Sequence, residues 1–105
     1  MKFLDKIQNK KILVVGLGRT GKATLEMLEG KGCELYAQDS KTRDDMDEAL
    51  VALIDRTCKH AFLGQDPDET KFDYVIMSPG VSPELEFIQR AEKTGAEVIG
   101  ELELA

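Results

Sequence analysis

With 105 residues, 42% apolar and 32% charged, the chain has the size and composition of one globular domain and is small for a complete enzyme. A formal net charge of −6 argues against a nucleic-acid or anionic-membrane surface. No apolar run reaches the length of a membrane span, and the start Met1-Lys2-Phe3-Leu4-Asp5-Lys6 lacks the apolar core of a signal peptide, so a cytoplasmic location is expected.

Taken in order, Phe3, Leu4 and Ile7 share helical spacing and predict a short amphipathic helix within residues 1–9, followed by a turn at Asn9-Lys10. Residues 11–15 form a strand whose apolar run Ile12-Leu13-Val14-Val15 ends in Gly16-Leu17-Gly18-Arg19-Thr20-Gly21, a G-x-G-x-x-G sequence. Gly16 suits a tight turn, Gly18 lets a diphosphate approach the backbone, and Gly21 lets a helix pack close to the strand. Such a turn places helix N-terminal amides and the positive end of the helix dipole against an anion. Dinucleotides and UDP-sugars both offer the diphosphate.

A helix follows over about 18–30, with Ala23, Leu25, Met27 and Leu28 as its apolar face and Gly30-Lys31-Gly32 as its stop. The second strand covers 34–38, with Leu35 and Ala37 on one face and Tyr36 on the other, and runs into Asp39-Ser40-Lys41. The next helix takes Asp44 or Asp45 as its N-cap and buries Met46, Ala49, Leu50, Leu53 and Ile54. The acidic cluster Asp44, Asp45, Asp47 and Glu48 superficially suggests a metal site, but a first helical turn explains it by dipole complementarity. A third strand is expected over 60–63 and a fourth over 74–77. Pro67 keeps the loop between them out of any sheet. The fourth strand meets the sharp loop Ser78-Pro79-Gly80-Val81-Ser82-Pro83. A helix starting near Pro83 or Glu84 turns Leu85, Ile88 and Ala91 inward, Gly95 closes it, and a fifth strand covers 97–99.

This alternation predicts an α/β, Rossmann-like, five-stranded parallel sheet with right-handed crossovers and helices on both faces. Ligands of such sheets lie at the carboxyl ends of the strands, so the segments at 16–21, 39–41 and 78–81 are expected on one rim. Asp39 stands near the spacing of a ribose-binding acid, and a turn-forming Asp-Ser pair is the alternative. Ser40 and Lys41 can donate to a carbonyl or phosphate, and Gly80 leaves room for a flat ligand part. Cys33 and Cys58 have no metal-ligand spacing and read as reduced, partly buried core thiols, and His60 as a strand-end residue. No catalytic constellation is visible, so the residues describe a binding module with no metal site and no catalytic residue of its own.

The runs Lys11 to Gly21, Asp39-Ser40-Lys41, Ser78 to Pro83 and Val98-Ile99-Gly100-Glu101-Leu102-Glu103-Leu104 together resemble the N-terminal domain of the Mur ligases of bacterial peptidoglycan synthesis, in the form that adds D-glutamate to UDP-N-acetylmuramoyl-L-alanine. The glycine loop is shared with many dehydrogenases, whereas the Ser-Pro-Gly-Val loop and the Gly-Glu-Leu-Glu-Leu ending are more specific. The resemblance implies a three-domain enzyme. Its first domain binds the UDP part of the substrate, its second binds ATP and Mg2+, and its third receives D-glutamate, which attacks an acyl phosphate to form an amide. It implies a UDP-binding set of Gly18, Arg19, Thr20, Gly21, Asp39, Ser40, Lys41, Ser78 and Gly80. Arg19 and Thr20 would meet the diphosphate, Asp39, Ser40 and Lys41 would surround the uracil, and Gly80 would border it. Lys41 stands where an arginine is common in the family, and a lysine does not supply an arginine's planar, bidentate contact. On this reading 1–105 is one domain of a larger ligase and is inactive alone. Its partners are UDP-N-acetylmuramoyl-L-alanine and the ligase's other domains, with neither nucleic acid nor membrane, and ATP and Mg2+ act elsewhere in the full enzyme. An NAD(H)-binding regulatory module and a Mur ligase acting at another step are the alternatives. The Gly-Leu-Gly-Arg-Thr-Gly form of the loop favours the D-glutamate-adding enzyme.

Overall fold

The computed structural model describes residues 6–68, 71–82 and 84–100. Its centre is β1 (Lys11–Val15), in which Ile12, Leu13, Val14 and Val15 are each at most 1% exposed. Side chains alternate across a strand, so a run apolar at every position can only be satisfied with both sheet faces covered. Around it lie β2 (Glu34–Asp39), β3 (Cys58–Leu63), β4 (Tyr74–Met77) and β5 (Glu97–Gly100), all parallel, in the order β3-β2-β1-β4-β5. The chain thus builds outward through β2 and β3, then returns to the other side of β1, and the strand order reverses beside β1.

The two sides of the sheet have separate cores. On one, Leu25 and Leu28 of α1 (Arg19–Leu28) and Leu50, Leu53 and Ile54 of α2 (Glu48–Thr57) pack on Ile12, Val14, Leu35, Ala37 and Ile76. On the other, Phe87, Ile88 and Ala91 of α3 (Glu86–Lys93) belong with Leu13, Val15, Tyr36, Phe62, Phe72 and Val75. Each fully buried Leu, Ile or Phe contributes about 2 kcal/mol. The expected division of β2, with Leu35 and Ala37 opposite Tyr36, is observed. Between β3 and β4 the described residues form no helix. Pro67 is buried, Gln38 Nε2 donates to the Gln65 carbonyl at 3.0 Å, and Phe72 stacks edge-on against Tyr36 with ring centroids 5.3 Å apart.

Several local expectations are corrected. In α1 the buried residues are Gly21, Thr24, Leu25 and Leu28, an i, i+3, i+4, i+7 stripe, while Ala23 and Met27 face out. Thr24 is tolerated inside because its hydroxyl donates to the Thr20 carbonyl at 2.9 Å. Neither Asp44 nor Asp45 caps α2. Both lie in a single 3-10 turn, Arg43–Asp45, and Asp47 is the N-cap, its Oδ1 accepting from the Leu50 amide at 2.7 Å. Ala49 is exposed and Met46 is half-buried against the core. The third helix starts later than expected, so Leu85 is its exposed N-cap and Phe87 takes the inward position. Strands β2, β3 and β5 extend slightly past the predicted limits, whereas β1 and β4 match them.

The helix expected within residues 1–9 falls largely outside the described residues; among those described, Ile7 is fully buried and Asn9 has φ 63° in the expected turn. Pro83 and the Glu101-Leu102-Glu103-Leu104 ending lie outside them as well. Among the described residues no helix is long and apolar enough to cross a membrane.

Candidate functional site

The glycine turn after β1 is built by three contacts with neighbouring chain. Gly16 has φ +89°, its amide donates to the Gln38 carbonyl at 2.8 Å, and its carbonyl accepts from the Ser78 hydroxyl at 2.9 Å. That same carbonyl oxygen occupies the place a Cβ on Gly21 would need. Gly16 and Gly21 are therefore demanded by the fold. Gly18 is not: its φ is −74°, and a Cβ there would meet nothing within 4 Å. The space beside Gly18 is open, and α1 begins there without a side-chain cap.

Asp39, at the end of β2, links this turn to the next. Its Oδ1 accepts from the Leu17 amide at 2.8 Å and its Oδ2 from the Lys41 amide at 2.9 Å. The carboxylate thereby holds the turns after β1 and β2 side by side, and both oxygens are engaged by the backbone.

Above these ends lies an open cavity of about 680 Å³. Leu17, Gly18, Arg19 and Lys22 line it from the first turn, and Asp39, Ser40 and Lys41 from the second. Asp45, Met46, Asp47 and Leu50 close the far side. Five of the sequence-derived candidates are thus together: Gly18, Arg19, Asp39, Ser40 and Lys41. Thr20, Gly21, Ser78 and Gly80 do not line the cavity. Thr20 and Gly21 lie in the first turn of α1, Ser78 is spent on Gly16, and Gly80 is exposed in its loop.

Lys22 and the segment 45–50 were absent from the sequence-derived set. Lys22 had a usable signal, since it follows Arg19 by three positions and so shares a helical side with it. The 45–50 segment had none, because its place is fixed by how the 3-10 turn folds back.

The electrostatics of the lining are uneven. Among the described residues, no carboxylate lies within ion-pair distance of Arg19, Lys22 or Lys41. The nearby acids are otherwise engaged: Asp45 accepts from the Thr42 hydroxyl at 3.2 Å, and Asp47 caps α2. The site offers cationic side chains, the amides at the start of α1, and apolar lining from Leu17, Met46 and Leu50. That combination can hold an anion attached to a flat, weakly polar ring.

Among the described residues no group of His, Cys, Asp and Glu side chains is arranged to hold a metal ion. His60 rests against the Phe62 ring, centroids 4.6 Å apart, and Cys33 and Cys58 are free thiols that burial pushes above their ordinary pKa. None of the three lines this cavity.

The family profile described as Mur ligase MurD-like, N-terminal domain matches residues 10–100. The chain belongs to this Mur ligase family. Over 104 residues this Mur ligase domain is 36% identical to the UDP-N-acetylmuramoylalanine--D-glutamate ligase of Alkaliphilus metalliredigens, a match covering 95% of this chain and 23% of that protein. The ligase of the same name from Clostridioides difficile is 34% identical over 100 residues, covering 94% and 22%. That from Lactobacillus johnsonii is 34% identical over 109 residues, covering 100% and 23%. The Mur ligase domain described here thus spans under a quarter of the length of these relatives. In three dimensions it is similar to shikimate dehydrogenase from Aquifex aeolicus, with a TM-score of 0.57 and 15% identity over 95% of this chain and 45% of that one. This likeness shows the shared Rossmann-like fold alone.

Proposed function

We propose that this Mur ligase domain binds the UDP moiety of UDP-N-acetylmuramoyl-L-alanine, as the N-terminal part of a larger cytoplasmic, ATP-dependent ligase that adds D-glutamate in peptidoglycan precursor synthesis. The observation that carries the reading is the cavity over β1 and β2, edged by the bare Gly18 and by cations that have no carboxylate partner among the described residues, in a chain whose relatives bear that ligase's name. Arg19, with the Gly18-Arg19-Thr20-Gly21 backbone and the Thr20 hydroxyl, meets the diphosphate. Ser40 and Lys41 hold the polar edge of the uracil, Asp39 fixes the backbone around it, and the loop of Ser78 and Gly80 borders it. The muramoyl end points out of the domain, toward the parts of the enzyme that would carry ATP, Mg2+ and D-glutamate.

The domain alone makes no amide bond, since its cavity holds neither a nucleophile paired with a base nor a group to activate a carboxylate. Its affinity is weak, because only part of the substrate is gripped while most of the association entropy is still lost. An NAD(H) module is the competing reading, in which the Asp39 carboxylate would accept ribose hydroxyls in addition to the two amides it holds.

Calorimetric titration of the chain with UDP-N-acetylmuramoyl-L-alanine and, separately, NADH tests the reading. Heat from the UDP compound and none from NADH is expected, and the reverse would overturn it. Amide formation by the chain with UDP-N-acetylmuramoyl-L-alanine, ATP and D-glutamate would contradict its inactivity.

A further inference from the structure

Lys22 is a cation on the cavity wall for which the fold shows no use. It lies in the first turn of α1, three residues after Arg19 on the same helical side, and its side chain lines the cavity. Lys41 faces the same space from the end of β2. Three acids line that cavity too, and a partly exposed lysine ordinarily drifts toward such neighbours. Here each acid is held by something else: Asp39 by the amides of Leu17 and Lys41, Asp45 by the Thr42 hydroxyl, and Asp47 by the Leu50 amide. The acids keep their charge, but among the described residues none lies within ion-pair distance of Lys22 or Lys41, and the cations remain available to a ligand.

Resting on the UDP reading above, we propose that Lys22 is a specificity-determining residue whose ammonium takes the second phosphoryl group, so that the cavity prefers a nucleoside diphosphate to a monophosphate. Three residues advance a helix by roughly 4.5 Å. Arg19 and Lys22 therefore leave α1 within one turn of each other and line the same cavity, so both long side chains can reach one diphosphate. Gly18 and Arg19 serve the group nearer the nucleoside, and Lys22 serves the next. A lysine suits this place because a compact ammonium on a flexible stem can follow a phosphate as a point charge. Adding the second phosphoryl group adds negative charge beside this half-buried side chain, whereas removing it leaves Lys22 facing the open cavity.

The test is titration of the full chain with UDP, UMP and uridine, in the wild type and in Lys22→Gln and Lys22→Arg, with thermal melting to confirm that each variant folds. The wild type binds UDP more tightly than UMP. Lys22→Gln weakens UDP by about fivefold, the scale of one partly exposed charge-assisted contact, and leaves uridine unchanged. Lys22→Arg keeps most of the preference for UDP. The gap between wild type and Lys22→Gln closes at 1 M salt, where the Debye length is about 3 Å. A Lys22→Gln chain that binds UDP as the wild type does, or that loses UDP, UMP and uridine to the same degree, overturns the role of Lys22 and leaves the UDP reading standing. A wild type that binds none of the three overturns the UDP reading itself, and the role of Lys22 with it.

Discussion

The Ser78 hydroxyl donates to the Gly16 carbonyl at 2.9 Å, which ties the loop after β4 to the turn after β1. The same oxygen abuts the Cα of Gly21 so closely that no side chain fits there. One carbonyl therefore sets both the position of the Ser78 loop and the approach of α1 to the sheet. The cavity inherits its shape from this point and from the Asp39 carboxylate beside it.

Two glycines of the turn, Gly21 and Gly18, separate by experiment. Gly21→Ala drives a Cβ into backbone and is expected to cost about 3 kcal/mol or more, seen as a large fall in the denaturant midpoint. Gly18→Ala meets open space at an ordinary φ and is expected to change stability by less than about 1 kcal/mol. On the proposed function it fills the side open to the diphosphate, so binding of the UDP compound is expected to fall while melting does not.

Ser78→Ala removes the donor to Gly16 without adding bulk. A loss of about 1 kcal/mol in urea unfolding is expected. Amide shifts between variant and wild type should be concentrated at Gly16 and Gly21.

Asp39→Asn keeps one acceptor but turns an amide nitrogen toward a backbone N–H that needs one. Either Leu17 or Lys41 then loses its partner, at about 1–3 kcal/mol. Faster hydrogen exchange at one of these two amides is the expected sign. Unchanged protection at both would contradict the clamp.

The thiol of Cys58 is raised mainly by burial, with the Thr57 hydroxyl 3.6 Å away lowering it to a smaller degree. A group whose pKa is higher folded than unfolded stabilises below the unfolded pKa, and that contribution is lost as pH rises. Stability should therefore decline above about pH 8.5, where an unfolded thiol ionises first, and Cys58→Ala should flatten the decline. Cys33 is raised by the same cause but is less deeply buried, so a thiol-reactive disulfide should modify it before Cys58.

The sheet was legible because its signals are local. The continuous apolar run at Ile12–Val15 and the short Tyr74–Met77 run, both bounded by polar residues and turns, define β1 and β4 without reference to anything else. The helices were less so. In Thr42-Arg43-Asp44-Asp45-Met46-Asp47 the N-cap was expected at Asp44 or Asp45, and only the fold shows that a 3-10 turn consumes both and leaves the cap to Asp47. In α1 the inward face is set by Gly21 against Gly16, a packing constraint that outranks the apolar character of Ala23 and Met27. At the site, Gly18, Arg19 and Asp39-Ser40-Lys41 could be read because they sit at strand ends. Met46 and Leu50 could not, because nothing local says that residues 45–50 fold back over that rim.

Residue-resolved NMR of the labelled chain, titrated with UDP-N-acetylmuramoyl-L-alanine and then with NADH, tests the central claim most directly. Shifts are expected at Leu17, Gly18, Arg19, Ser40 and Lys41 with the UDP compound and none with NADH. Shifts at the glycine turn and Asp39 with NADH alone would contradict it.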